Sequence, residues 1–113
     1  MSRISVKSGK AKGRRLQNLV AEKIRHKYPS LDGNDVKGAI MGQGGMDIQL
    51  SNHARTLFPY AVECKARAAF STYKIWEQAC ANCEGLEPLL VIKGDRHKPL
   101  VVMDLDKFME VLK

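Results

Sequence analysis

The longest periodic feature of the sequence is an apolar stripe along residues 14–28. Apolar side chains recur there at steps of three and four residues, which is the spacing of one helix face, and Pro29 ends the segment. A helix with a single apolar face buries that face against another layer of structure. On this phase Gln17 lies on the buried stripe and Glu22 faces solvent. The sequence therefore predicts one covering helix at the start of the core.

The segments after this helix alternate between strand and helix patterns. Short runs that are apolar or alternating predict strands, and glycine clusters mark the turns between them. The predicted elements are strands at 39–41, 46–50 and 57–65, a helix at 73–83, strands at 89–93 and 100–104, and a helix at 105–113, with a glycine turn at 42–45 and a loop at 51–56. The order αβββαββα indicates an α/β fold with a central mixed sheet flanked by helices.

Length and composition fit one domain that follows a short basic arm. The chain has 113 residues, of which 44% are hydrophobic, and this is enough apolar material for one core. Residues 1–13 combine basic side chains with Ser and Gly, which predicts a flexible arm, although a frayed terminus has the same composition. The predicted domain covers residues 14–113.

The charge balance favours a polyanionic partner. Nineteen Lys and Arg residues against twelve Asp and Glu residues give a formal net charge of +7. Charge alone does not distinguish DNA, RNA and acidic lipid. No apolar stretch approaches the roughly 18 residues of a membrane-spanning helix, and no leader pattern opens the chain. We therefore expect a soluble, cytoplasmic protein without a membrane partner.

The three cysteines are an odd number, which fits a reducing compartment better than a disulfide framework. Cys80 and Cys83 form a C-x-x-C pair, which can bind zinc when a second ligand pair follows. No such pair follows here, and helical periodicity places both cysteines on an apolar face with Tyr73 and Trp76. We interpret all four as core residues.

A possible reaction centre combines Asp47, Glu63 and Lys65. Asp47 follows Gly44-Gly45, so little side-chain bulk stands in front of its carboxylate. Residues two apart in a strand point to the same side, so Glu63 and Lys65 emerge together while Cys64 faces the core. A turn aspartate and a solvated ion pair are the structural alternatives. Two carboxylates can hold Mg²⁺, and a lysine beside them can orient water or stabilise a charged phosphorane.

Gly45-Met46-Asp47 followed by Glu63-Cys64-Lys65 resembles the signature of the PD-(D/E)xK nuclease superfamily, whose restriction-endonuclease-like core is αβββαβ. The size, the basic arm and the opening Lys12-Gly13-x-x-x-Gln17 are similar to archaeal Holliday-junction resolvases and small phage-encoded nucleases. The resemblance covers residues 12–92. Two positions depart from the pattern: Gln17 stands where the resolvases have a helix-one glutamate, and Met46 stands where the superfamily has its proline.

The resemblance implies a Mg²⁺-dependent endodeoxyribonuclease, with Mn²⁺ as a substitute, that hydrolyses phosphodiester bonds in DNA recombination or repair. It implies Asp47 and Glu63 as metal ligands, Lys65 as a catalytic group, Gln17 as an auxiliary group, and a homodimer on branched DNA in the host or phage-infected cell. Glu22 replaces Gln17 only if the helical phase is wrong. The alternatives are a non-catalytic nucleic-acid-binding module of the same fold and a nuclease for duplex or flap DNA.

Basic and polar residues in two places are candidates for contacts with the DNA backbone. Positive charges cluster where the first helix begins, and in such nucleases the helix after E-x-K lies over the active site. For the second group, a solvated surface position is an equal alternative. The candidates are Lys10, Lys12, Arg14 and Arg15 at the first helix, and Arg67, Lys74 and Gln78 near the second.

Overall fold

The computed structural model describes residues 6–40 and 45–112. Its nine elements follow the order αββαβαββα. They are α1 (Val6–Lys27), β1 (Val36–Gly38), β2 (Ile48–Leu50), α2 (Asn52–Leu57), β3 (Tyr60–Arg67), α3 (Thr72–Ala81), β4 (Glu87–Gly94), β5 (Leu100–Val102) and α4 (Leu105–Val111).

The strands form a three-stranded mixed sheet and a separate hairpin. In the order β3-β4-β5, β3 and β4 are parallel and are joined through α3, whereas β4 and β5 are antiparallel. β1 and β2 form an antiparallel pair beside this sheet. The backbone N–H of Asp47, just before β2, donates to the carbonyl of Val62 in β3 at 3.0 Å. This hydrogen bond brings the hairpin to the free edge of β3.

Helices cover both faces of the three-stranded sheet. α1 packs on β1 and β3, and its buried side chains Leu16 and Ile24 join a core cluster with Val62, Cys64 and Val91. α3 packs on β3 and β4 from the other side. The predicted α/β class and mixed sheet flanked by helices are thereby confirmed. None of the helices in the described part of the chain is long and apolar enough to cross a lipid bilayer.

The first helix starts earlier than predicted. α1 begins at Val6, so the predicted start at residue 14 is wrong and residues 6–13 of the predicted arm are helical. Gly9 and Gly13 weaken the helical pattern there, but Lys and Ala residues favour a helix. Lys12 also binds Asp95 in the loop after β4, which fastens this part of the helix to the sheet. Residues 1–5 of the arm lie outside the described residues.

Two predictions for the segments around the hairpin are wrong. The strand predicted at 39–41 lies at Val36–Gly38 instead, within the stretch that turn residues suggested was irregular. The loop predicted at 51–56 is mostly α2, so the next strand begins at Tyr60 and not at residue 57. Ser51 explains the helix because its side chain accepts a hydrogen bond from the N–H of Ala54 and caps the first turn. Residues 41–44, with most of the glycine turn, and Lys113 lie outside the described residues.

The predicted buried face of the second helix is also wrong. In α3 the buried side chains are Ile75 and Ala79, one helical turn apart, whereas Tyr73 is 85% exposed. Cys80 is exposed and does not belong to the core, and Cys83 lies beyond the last helical residue and is half-buried. The aromatic and cysteine side chains suggested a face that the sheet does not cover. A branched and a small residue pack on the sheet instead.

Candidate active site

Asp47 is held against β3 by its backbone and by its side chain. Its N–H donates to the carbonyl of Val62 at 3.0 Å, and its Oδ2 accepts a hydrogen bond from the N–H of Cys64 at 2.7 Å. On the other side, its carbonyl accepts from the N–H of Ala39 at 2.8 Å. The two backbone bonds fix the position of Asp47, and the third holds its carboxylate next to the strand that carries the E-x-K residues.

Gly45 brings the chain into the site along a path that favours glycine. Its φ of +92° lies in the region that side chains rarely adopt, and a Cβ at this position would lie 3.6 Å from Oε2 of Glu84. Glu84, in the loop between α3 and β4, has a left-handed φ of 48° itself. The segment before Asp47 and the loop after α3 therefore meet closely at this side of the site.

Glu63 and Lys65 emerge on the same side of β3, as the strand alternation predicts. The Nζ of Lys65 lies 3.7 Å from Oε1 of Glu63, and their side chains are 22% and 7% exposed. Cys64 between them is buried in the core on the opposite side, also as predicted. Burial raises the pKa of the Cys64 thiol, which keeps it protonated and unsuited to act as a nucleophile.

The two carboxylates share an environment that disfavours their charged forms. Burial raises the pKa of Asp47 above its usual value of 3.8, against the hydrogen bond from Cys64 and the charge of Lys65. Burial and then the charge of Asp47 raise the pKa of Glu63 above 4.5, while Lys65 and hydrogen bonding from the Asn82 side chain lower it. One ammonium group therefore compensates two carboxylates only in part.

The donor set fits a magnesium ion better than a softer metal. Magnesium binds through one or two carboxylates, retains several waters and uses substrate phosphate oxygens as further ligands. Asp47 and Glu63 supply two oxygen donors close enough for the charge of one to raise the pKa of the other. Within residues 6–40 and 45–112, no group of three or more His, Cys, Asp and Glu side chains is arranged to hold a metal.

Gln17 is buried in α1, as its phase predicts, with only 6% of its surface exposed, and Glu22 is exposed. The Oε1 of Gln17 lies 3.3 Å from the position that a Cβ on Gly38 would take. Ala39, the residue after Gly38, donates to the carbonyl of Asp47. The amide of Gln17 thus lies beside the strand end that also contacts Asp47, and its auxiliary role stays a prediction.

The predicted DNA contacts separate into distinct surfaces. Arg67, Lys74 and Gln78 line one shallow cavity on the α3 side of the sheet, the side from which Asn82 reaches Glu63. Lys12 and Arg15 line a different cavity between α1 and the loop after β4. The remaining two candidates, Lys10 and Arg14, are exposed on α1.

Asn82 is a site residue that the sequence did not indicate. It follows the last residue of α3, and its backbone N–H donates to the carbonyls of Gln78 and Ala79. From the sequence, an asparagine at the end of a helix is expected to cap the helix, and nothing in its spacing indicates a role in a reaction centre. Its contact with Glu63 depends on how α3 lies on the sheet, and no sequence spacing reports this.

No protein-family model, curated protein or solved structure matches the chain.

Proposed function

We propose that the protein is a divalent-metal-dependent DNA endonuclease with a restriction-endonuclease-like αβββαβ core. The observation that carries this proposal is the convergence of Asp47, Glu63 and Lys65. Asp47 is bonded to the backbone of β3, and the Lys65 Nζ lies 3.7 Å from Glu63. Charged groups in a strand with buried apolar neighbours are unfavourable unless a function retains them.

In this proposal Asp47 and Glu63 hold Mg²⁺ or Mn²⁺, and Gln17 is an auxiliary polar group. When bound, the ion supplies polarisation of a phosphate and acidification of a water. Lys65 lies next to Glu63, where its ammonium group can orient the attacking water or stabilise the negative charge on the phosphoryl oxygens in the transition state. The side chain of Asn82 approaches Glu63 from the α3 side and helps to lower the pKa of this carboxyl group.

The proposed substrate is DNA, with branched DNA as the preferred form. The net charge of +7 supports a polyanionic partner. Arg67, Lys74 and Gln78 line a surface on the α3 side together with Glu77, and the two cations and the amide suit a sugar-phosphate backbone. A resolvase in recombination or repair cuts two strands symmetrically, so we propose a homodimer that supplies two sites.

Cleavage of labelled DNA with Mg²⁺ tests the proposal through Glu63→Gln, which keeps side-chain volume and removes the charge. We expect at least about a hundredfold loss of cleavage, because a ligand change that removes about 3 kcal/mol of transition-state stabilisation has this effect. DNA affinity should stay within a few-fold. Glu22→Gln is the matched control, since the same chemical change on an exposed residue should leave cleavage intact.

Lys65→Ala should give the same separation of cleavage from binding. Parallel loss of cleavage, binding and folded structure in both variants would mean that these residues are structural. A panel of four-way junction, flap, duplex and single-stranded DNA identifies the substrate. Equal cleavage of plain duplex and junction would remove the resolvase assignment and leave a duplex or flap nuclease.

A non-catalytic DNA-binding module of the same fold is the second candidate. Gln17 in place of a helix-one glutamate favours it, as does the absence of a three-member His, Cys, Asp and Glu group in the described residues. An amide oxygen is an uncharged and weaker ligand than a carboxylate. Tight DNA binding without cleavage in Mg²⁺ or Mn²⁺ would identify this function.

A further inference from the structure

A second cavity, with charged side chains around an apolar floor, lies between the N-terminal half of α1 and the loop that joins β4 to β5. Its volume is about 470 Å³, and four cationic side chains line it together with one carboxylate and an apolar floor. The charged residues are Lys12, Arg15, Lys93, Arg96 and Asp95. The lining therefore carries an excess of positive charge, which is the property of a site for an anion.

Three of the cations act on the same carboxylate. The Nζ of Lys12 lies 2.7 Å from Oδ1 of Asp95. The pKa of Asp95 is lowered, first by this hydrogen bond and then by the charges of Lys12, Lys93 and Arg96. Arg15 lies three residues after Lys12, which places it on the same face of α1. The four cationic side chains therefore line the same cavity. Their positive charges favour an anionic oxygen at the position that the Asp95 carboxylate occupies.

The backbone of Arg96 supports a role for its side chain. Its φ of 64° lies in the left-handed region, which glycine adopts without the steric clash that a side chain introduces. An arginine in this conformation is unfavourable for the turn itself. Strained residues of this kind are concentrated at ligand sites, where the side chain has a function.

The cavity is next to the candidate active site but on the other face of the sheet. Ala66 lines the cavity and follows Lys65 in β3, and alternation along the strand directs these two residues to opposite faces. Ala66 also pairs in register with Lys93 of β4. The cavity and the candidate active site therefore lie on opposite faces of the sheet, and both include residues from the carboxyl-terminal half of β3.

We propose that this cavity binds a backbone phosphate of the DNA substrate and that Asp95 occupies the same cations as an internal competitor in the free protein. This inference rests on the proposed function only in taking DNA as the ligand. Arginine and lysine bind a carboxylate and a phosphate oxygen through the same charge-assisted hydrogen bonds. The Lys12–Asp95 pair is partly exposed, with side chains 23% and 42% exposed, so its exchange for a phosphate is easily reversed.

Binding of a fluorescent duplex in EDTA, measured over a series of salt concentrations, tests the inference without cleavage. Arg96→Gly and Lys93→Ala should each weaken binding about tenfold at low salt, as expected for loss of a charge-assisted contact. Each should also reduce the slope of log affinity against log salt by about one. Asp95→Asn should strengthen binding several-fold because it removes the competitor. Lys23→Ala is the control, because it removes the same charge from an exposed part of α1.

Thermal unfolding separates a binding role of Arg96 from a structural one. Arg96→Gly relieves the left-handed backbone, so its Tm should equal or exceed that of the original protein while its affinity falls. A lowered Tm with unchanged affinity would overturn the inference. So would affinities of Arg96→Gly and Lys93→Ala that match that of Lys23→Ala.

Inorganic phosphate provides the second arm of the test. The inference requires that the cavity variants change affinity for the duplex. If phosphate alone raises the Tm and the variants abolish that rise without changing duplex affinity, the cavity is a site for a free anion and the inference is overturned. Because all binding is measured without metal, loss of duplex affinity in the cavity variants stands even if the Glu63→Gln experiment shows no cleavage to lose.

Discussion

Glu63 is a carboxylate in the interior of a strand whose neighbours are apolar and buried. Only 5% of its surface is exposed, and the flanking Val62 and Cys64 belong to the core. Removing a charged group from water is unfavourable by several kcal/mol unless partners replace the lost hydration. Lys65 supplies one such partner, but Asp47 adds a second negative charge. Without a bound metal ion, Lys65 compensates the two carboxylates only in part, and their charged forms therefore oppose folding.

The stability of the metal-free protein should reflect this pair through its pH dependence. The pKa values of Asp47 and Glu63 are raised in the folded state above 3.8 and 4.5. The protonated carboxyl groups therefore make their full contribution to the free energy of unfolding at pH values below their pKa values in the unfolded chain. This contribution is lost as the pH rises through the higher pKa values of the folded state. Chemical unfolding in EDTA should show this loss in the original protein and not in an Asp47→Asn, Glu63→Gln double variant.

Magnesium provides the control for this measurement. At neutral pH, Mg²⁺ should raise the Tm of the original protein, since a ligand that binds only the folded state stabilises it. The double variant should not respond. Parallel pH profiles of the two proteins would contradict the electrostatic account of the site.

In α3, the buried face is the one that packs on the sheet, and it is not the face that the sequence pattern predicts. The sequence has aromatic residues and cysteines on one side of this helix, yet Ile75 and Ala79 are the buried pair. Tyr73 extends into solvent and Trp76 is half-buried. The position of α3 matters for the proposed function because it brings Lys74 and Gln78 of the helix beside Arg67, the last residue of β3.

Truncation of two side chains in α3 should confirm this phase by opposite effects. Ile75→Ala should lower the free energy of unfolding by about 2–5 kcal/mol, the usual effect of deleting a buried aliphatic side chain. Tyr73→Ala should change it by less than about 0.5 kcal/mol, as at other exposed positions. Urea unfolding of both variants measures the difference. A larger loss for Tyr73→Ala would restore the face that periodicity suggested.

At the scale of the whole molecule, β5 and α4 leave an apolar surface uncovered. Leu100 and Val101 in β5 are 60% and 61% exposed, and Leu105 and Met109 in α4 are 72% and 58% exposed. Within the described residues β5 pairs with β4 alone, so its other edge is open. Open apolar edges in soluble chains tend to pair with another strand. A second copy can use the same edge symmetrically, which supports the proposed homodimer.

A lysine on this edge should separate the two copies. Val101→Lys places a positive charge at the open edge of β5, where the β5 strands of two copies would pair. A charged side chain at an edge strand opposes such pairing. Light scattering or sedimentation should give a dimer mass for the original protein and a monomer mass for the variant, with unchanged circular dichroism. Tyr73→Lys, at an exposed position on α3, is the matched control and should remain dimeric. A monomer mass for the original protein at all concentrations would contradict the proposal.

Local patterns determined those parts of the site that lie within a single element. The periodicity of α1 correctly predicts that Gln17 is buried and Glu22 is exposed. The alternation of β3 correctly predicts that Glu63 and Lys65 lie on the same side of the strand. These predictions succeed because backbone geometry sets side-chain direction within a helix or a strand. In α1 the apolar stripe is also the face that packs on β1 and β3, whereas in α3 the face with the aromatic and cysteine residues is not the buried one.

Tertiary structure alone decided which elements meet. The hydrogen bond from Cys64 to Asp47 depends on how the hairpin lies along β3. The approach of Asn82 to Glu63 depends on where α3 packs on the sheet. Lys12 and Asp95 form an ion pair across 83 positions of sequence, so neither residue predicts the other. Periodicity reports which face of an element is apolar. It does not report which distant element covers that face, because that choice depends on packing over the whole core.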